Sequence, residues 1–169
     1  MRMNLTQTTA LKWTVYALAV LLLCFLKRLL LGSATFWGVL PFLPPVLLAV
    51  MAAFEQPKSA VIAGLAFGAL CDLVVPAPFP CLYTLAFTIA ALLIATVMSN
   101  FMQQGFARAL FSSVLAFVIV DLFEIAAMLT RGADLSVMLW LFARETLVSC
   151  VLLLPSYPLL RAVHRLFAD

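Results

Sequence analysis

Residues 108–130 read RALFSSVLAFVIVDLFEIAAMLT, and most of the chain is built in the same way. A bilayer core about 30 Å thick is crossed by about 20 apolar residues of α-helix, and this stretch has that length with only two acidic residues inside it. Apolar stretches of similar length recur at residues 13–31, 35–54, 59–75, 80–102 and 135–154. The sequence therefore predicts about six transmembrane helices.

The overall composition supports a membrane protein. The 169 residues are 66% hydrophobic and only 10% charged, whereas soluble domains carry about 25% charged residues. The connections between the apolar stretches are short, so consecutive helices are expected to be antiparallel neighbours. We expect one transmembrane domain over residues 1–169, an all-α compact bundle in a lipid bilayer.

The distribution of basic residues predicts an orientation in the membrane. Six spans place both termini on one side, and cytoplasmic loops carry an excess of Lys and Arg. The side of the termini collects Arg2, Lys12, Lys58, Arg108, Arg161 and Arg165, and the other side collects Lys27, Arg28 and Arg131. Lys27 and Arg28 argue against the rule, but the balance favours cytoplasmic termini.

The second apolar stretch contains Pro41, Pro44 and Pro45. Proline lacks a backbone N–H and clashes with the preceding helical turn, so we expect a kinked or broken helix. A broken helix at membrane depth must be covered by neighbouring helices or a cavity. Two interpretations stay open, a kink that shapes the bundle and a binding site at the break.

Small residues recur at intervals of four in the third and fourth stretches. Gly64 and Gly68 form one such row, and Ala86 with Ala90 and Ala91 with Ala95 form others. Small faces let helix backbones approach closely in membranes. The rows predict packing within the chain, and a contact face for another chain is the alternative.

Charged residues at membrane depth are costly, about 2.5–3.5 kcal/mol each on insertion scales. Asp121 precedes Thr130 by nine residues and Arg144 follows Leu135 by nine, so both lie about 13–14 Å from the same turn. We therefore predict an ion pair between Asp121 and Arg144. The whole cluster comprises Asp121, Glu124, Arg144 and Glu145, in which Glu145 needs a separate partner. A proton or ion relay is the alternative.

No catalytic or metal-binding pattern is visible. The serines have no His at membrane depth to activate them, and metal motifs and phosphate-binding loops are missing. The four cysteines fit small buried hydrophobes, although a Cys71–Cys81 disulfide stays open. The net charge of +3 gives no indication of nucleic-acid binding. The sequence predicts a protein that is not an enzyme and holds no cofactor or metal.

Part of the chain resembles the MreD family, the rod shape-determining membrane proteins of bacteria. The resemblance rests on residues 64–73 (GLAFGALCDL), the turn from Pro76 to Pro80, and residues 82–87 (LYTLAF). Ser156-Tyr157-Pro158 and the basic residues after it match the end of the family pattern. Cys81 stands where the family pattern has glycine.

The resemblance implies a six-helix fold similar to the substrate-binding subunits of energy-coupling-factor vitamin transporters. It implies a scaffold that binds MreC in the bacterial cytoplasmic membrane and helps maintain rod shape during peptidoglycan synthesis. The complex would include MreB, a SEDS glycosyltransferase and a class B penicillin-binding protein. We expect the partner to contact Gly64, Gly68, Asp72, Pro76 and Pro80.

A vitamin-binding subunit of such a transporter is the alternative function. A ligand pocket needs convergent polar groups. The half of the molecule away from the termini offers Trp37, Asp72, Tyr83, Thr84 and Glu124.

Overall fold

The computed structural model describes residues 5–32, 35–76, 79–103 and 105–167, and helices joined by short connections account for most of them. The helices are α1 (Leu5–Leu31), α2 (Pro44–Phe54), α3 (Pro57–Val74), α4 (Leu82–Leu93), α5 (Ser99–Phe101), α6 (Phe106–Leu129), α7 (Leu135–Cys150) and α8 (Leu153–Leu166). A π-helical turn at Ile94–Met98 joins α4 to α5. The predicted all-α class is confirmed.

Among the described residues, fewer than the six helices expected are long and apolar enough to cross a membrane. Among the described residues, α1, α3 and α6 are long and apolar enough to cross a membrane. Helices α7 and α8 meet at a bend of 52° and add a fourth crossing if they form one span. Helix α2 and residues 82–97 are apolar but shorter. The structure therefore supports three or four crossings and does not confirm six.

Helix α2 forms the centre of the bundle. Residues 46–50 are completely buried, and residues 51–54 are at most 9% exposed. Helices α3, α4, α6 and α8 all pack against it. A helix that is apolar on every face is stable only when it is surrounded. Because α2 is apolar on every face, it needs neighbours on all sides. With 11 residues, it is too short to serve as an ordinary full-length span.

The prolines break the second predicted helix, as expected. Residues 35–43 are not helical, and α2 begins at Pro44. Proline suits the first helical position because the missing N–H would have no partner there. Before it, Phe36 and Val39 exchange two backbone hydrogen bonds of 2.9 and 3.1 Å across a tight turn. We call residues 35–43 the broken segment.

Helices α3 and α4 make the closest helix contact of the bundle through the glycine row. A Cβ atom at Gly64 would lie 2.7 Å from the backbone oxygen of Phe87, and one at Gly68 would lie 2.7 Å from that of Tyr83. Ala86, Ala90 and Ala91 on the α4 side are fully buried. The faces of these small residues are therefore covered by contact within the chain.

A buried carboxylate ties three parts of the chain together at one end of the bundle. Glu55, between α2 and α3, accepts hydrogen bonds from Lys12 Nζ at 2.7 Å and Tyr16 Oη at 2.9 Å. His164 Nδ1 lies 3.2 Å from the same carboxylate, and the Glu55 side chain is only 6% exposed. The start of α1 and the end of α8 thus meet at one end, which we call the Glu55 end.

We predict that Gly68→Ala destabilises the protein by about 1–3 kcal/mol, the usual cost of overpacking a filled interior. The added methyl group would meet α4 backbone, including the Cα of Thr84, which cannot rotate away. The thermal midpoint in detergent micelles measures the effect. Ala69→Leu is the matched control, since Ala69 is exposed on the same helix. Equal midpoints for wild type and Gly68→Ala would contradict the close contact.

We also predict that Glu55 makes stability fall in acid. Burial opposes ionisation of Glu55, but hydrogen bonds from Lys12, Tyr16 and His164 outweigh it and lower the pKa below the ordinary value of 4.5. The folded state then binds fewer protons than the unfolded state, so stability rises with pH in this range. The contribution is complete above pH 4.5 and disappears as the pH falls through the lowered pKa.

Thermal midpoints measured from neutral to acidic pH test this dependence. Glu55→Gln should flatten the acid limb because the amide does not titrate. Asp134→Asn is the control, since Asp134 is an exposed carboxyl. Parallel acid limbs for wild type and Glu55→Gln would show that Glu55 is not the responsible group.

Candidate functional site

The acidic residues predicted at membrane depth do come together, on facing sides of α6 and α7. The carboxylates of Glu124 and Glu145 both lie close enough to Asp121 to interact with it electrostatically. Tyr83 on α4 donates a hydrogen bond of 2.7 Å to Glu124 Oε1. The cation that interacts with Glu145 is Lys27 of α1. No group of three His, Cys, Asp or Glu in the described ranges is arranged to hold a metal ion.

Arg144 does not join this cluster, and the predicted Asp121–Arg144 ion pair is wrong for this structure. Both side chains are described, but the two ion pairs among the described residues join Glu55 to Lys12 and His164 and involve neither Asp121 nor Arg144. Arg144 instead donates a hydrogen bond of 3.3 Å to the Trp37 carbonyl and stacks over the Trp140 ring at 4.5 Å. Successive helical residues point about 100° apart. Because α7 turns Glu145 toward α6, it turns Arg144 toward the broken segment.

Side chains of α7 satisfy the backbone of the broken segment. Ser149 is fully buried, and its Oγ accepts a hydrogen bond of 2.8 Å from the Phe42 N–H. Arg144 donates a hydrogen bond to the Trp37 carbonyl of the same segment. Irregular backbone in apolar surroundings requires such partners. Two side chains on one helix thus hold the break in place.

The broken segment and α7 enclose an apolar cavity of about 470 Å³ that opens outward. It is lined by Phe36, Trp37, Pro41, Leu147, Val148, Val151 and Leu152, and we call it the Trp37 groove. Trp37 is 72% exposed and has a φ of +53°. This left-handed conformation is uncommon for a bulky residue. The broken segment therefore both bends the chain before α2 and forms one wall of a cavity.

The turn between α3 and α4 forms a second outward surface, at the end where α3 finishes. Leu73 and Val74 are 84% and 80% exposed, and Phe79 is 47% exposed. With Asp72, Val75, Pro76, Pro80 and Cys81 they line a concavity of about 490 Å³. We call Leu73, Val74, Pro76, Phe79 and Pro80 the turn surface.

Asp72 anchors this turn from inside the chain. Its carboxylate accepts backbone hydrogen bonds from Tyr83 N–H at 3.0 Å and Thr84 N–H at 2.9 Å, and one from the Thr84 hydroxyl. These N–H groups at the start of α4 have no helical partner, so Asp72 caps α4 from α3. Together with the covered Gly64 and Gly68, Asp72 supports the turn surface and leaves Pro76 and Pro80 exposed.

Several important residues were not singled out by the sequence analysis. Glu55 looked like an ordinary loop residue because its partners are more than 35 positions away in either direction. No local pattern marks Ser149, because its partner Phe42 is 107 positions away. The signal that could have found Ser149 is its position facing a proline-broken segment, whose free N–H groups need acceptors.

Comparison with models of protein families, with curated proteins and with solved structures finds no match to this chain. Class and site are therefore defined by the structure itself. The described chain is an all-helical protein with three or four helices able to cross a membrane, and outward cavities open at the broken segment and at the turn.

We predict that Cys81→Gly stabilises the protein by about 1 kcal/mol, the usual penalty for a left-handed residue with a side chain. Cys81 precedes α4 with a φ of +61°, the conformation that glycine adopts freely. The thermal midpoint should rise. Cys24→Gly is the control and should lower it, because Cys24 lies inside α1 and is also exposed. A fall for Cys81→Gly would contradict the strain.

Proposed function

We propose that this protein is a multi-pass membrane scaffold of the MreD type, which binds the single membrane span of an MreC-like partner at the turn surface. The observation that supports this is the exposure of Leu73 and Val74 in the last turn of α3. Lipid accounts for exposed apolar side chains in the middle of a span. These two lie at a helix end beside exposed prolines, where a contact with another chain would cover them.

The anchoring of the turn surface supports a docking role. Gly64 and Gly68 hold α3 against α4, and Asp72 fixes the start of α4. A surface that is already ordered loses little conformational freedom on binding. The residues expected from the sequence to contact the partner therefore divide into two groups. Gly64, Gly68 and Asp72 support the surface, and Pro76 and Pro80 belong to it.

The proposal extends to the membrane and the assembly. The Glu55 end would face the cytoplasm of a bacterial cell, so the turn surface would lie at the periplasmic edge of the cytoplasmic membrane. Through MreC, the scaffold would help to assemble MreB, a SEDS glycosyltransferase and a class B penicillin-binding protein during cell elongation. These partners come from the family resemblance in residues 64–87 and near the C-terminus.

A vitamin-binding transporter subunit remains a second candidate because both outward cavities have volumes typical of small-molecule sites. The contacts of the polar groups that were expected to bind a vitamin argue against this second function. Asp72 bonds to Thr84 and the Tyr83 backbone, and Tyr83 bonds to Glu124. These groups satisfy one another, so they contribute less to a ligand.

We predict that replacing Leu73 and Val74 together by Ser lowers recovery of MreC of the same species severalfold without lowering the membrane level. The polar side chains remove apolar contact area but leave Asp72 and the glycine row intact. Co-purification from membranes and quantification of the scaffold measure the two effects separately. Leu154→Ser is the matched control, because Leu154 is 62% exposed on α8.

Equal recovery of MreC by the double variant and wild type would exclude the turn surface as the docking site. If wild type captures no MreC but retains a vitamin through purification, the transporter function replaces the scaffold function. Gly68→Leu should behave differently from both and reduce the membrane level itself, because it disrupts the α3–α4 contact.

A further inference from the structure

The Trp37 groove adjoins a smaller cavity that is lined by a cation. The adjoining cavity measures about 310 Å³ and is lined by Trp37, Trp140, Ala143, Arg144 and Leu147. It shares Trp37 and Leu147 with the groove. The two cavities therefore adjoin along α7, and the Arg144 guanidinium lines the smaller one. This arrangement is independent of the turn surface and of the proposed scaffold function.

Arg144 keeps most of its binding capacity. A guanidinium carries five N–H donors, and in the described chain Arg144 makes one hydrogen bond, to the Trp37 carbonyl. No carboxylate among the described residues pairs with it. The Trp140 ring covers one face of the guanidinium. The edge that remains suits a planar, bidentate contact with an oxyanion.

The level of Arg144 in the bundle matches the edge of an apolar layer. Its neighbour Glu145 interacts with Lys27, and Lys12 of the same helix binds Glu55 at the opposite end. Residues 12 to 27 of a helix span about 22 Å, somewhat less than a bilayer core of about 30 Å. Lys27 and Arg144 therefore lie near one boundary, the depth at which Trp is enriched.

We propose that the Trp37 groove binds one anionic phospholipid, with the phosphate on Arg144 and an acyl chain along the groove. The occupant must be amphiphilic because Arg144, the one charged residue among the described lining residues, lies at one end of an otherwise apolar site. Arg is suited to phosphate by its rigid fork of donors. Trp37 and Trp140 line the same cavity as the guanidinium, where the lipid glycerol region would lie.

Charge selects the headgroup. An acyl chain gains little by leaving bulk lipid, since lipid tails are as apolar as the groove. Selection must therefore come from the guanidinium. A zwitterionic headgroup brings its own cation beside Arg144, whereas an anionic headgroup does not, so the anionic lipid is bound preferentially.

The conformation of Trp37 fits a binding role. Trp37 and Gly38 both have positive φ, +53° and +79°, and glycine would adopt either without strain. A Trp held there costs conformational energy and is nevertheless exposed. Strained residues of this kind are found at binding sites, where the surrounding structure fixes them.

Trp fluorescence in nanodiscs tests the proposal. The chain has three Trp, so Trp13→Phe leaves Trp37 and Trp140 as reporters. Phosphatidylcholine discs carry a minor fraction of either phosphatidylglycerol or phosphatidylcholine with brominated acyl chains, which quench Trp on contact. We expect brominated phosphatidylglycerol to quench more than brominated phosphatidylcholine at equal fraction. A ratio of one in this parent protein would overturn the proposal.

Variants assign the preference to the site. Arg144→Gln should bring the ratio to one, and Arg144→Lys should keep part of it because the charge remains. Arg165→Gln, an exposed cation on the last turn of α8, should leave the ratio unchanged, which controls for general attraction of anionic lipid. Val151→Phe should fill the groove and reduce quenching by both lipids. A ratio that survives Arg144→Gln would also overturn the proposal.

Discussion

The burial of α2 is the constraint on which the rest of the structure depends. A helix with no exposed residue between positions 46 and 50 can exist only inside a ring of other helices. The chain must enter and leave this centre, and its backbone polar groups need partners on the way. Pro44 and Pro45 start the helix without free N–H groups to satisfy. Ser149 accepts from Phe42 just before it.

Where the chain leaves α2, a side chain makes the stabilising contacts, and no irregular backbone segment is needed. Glu55 follows α2 directly, and its carboxylate gathers Lys12, Tyr16 and His164 around one point. A buried carboxylate is favourable only when it is paired and hydrogen-bonded. The first and last long helices are thereby attached to the connection between α2 and α3. One charge therefore organises a whole end of the bundle.

Sequence reasoning identified the all-α class and the break in the second segment. It did not predict the bend between α7 and α8 or the directions of side chains around helix axes. Counting residues placed Asp121 and Arg144 at similar depth. It could not show that α7 turns Glu145 toward α6, because rotation is set by packing against neighbours. The small-residue row was easier to interpret, since Gly64 and Gly68 have no side chain to direct. Contacts between distant residues, as in Glu55 with His164, left no local pattern.

Polar groups have different partners at the two ends of the bundle. This difference distinguishes residues that stabilise the fold from residues that are available for binding. At the Glu55 end the Glu55 carboxylate is paired with Lys12 inside the chain. At the other end Asp72 and Glu124 are used in the same internal way, but Arg144 stacks over the Trp140 ring and lines an open cavity. A guanidinium with unused donors at the edge of an apolar layer is suited to an oxyanion from outside the chain. Stability alone favours pairing Arg144 with the nearby acidic cluster, and the fold instead turns it toward an open cavity. The outward cavities are therefore the part of the molecule that packing within the chain does not fill.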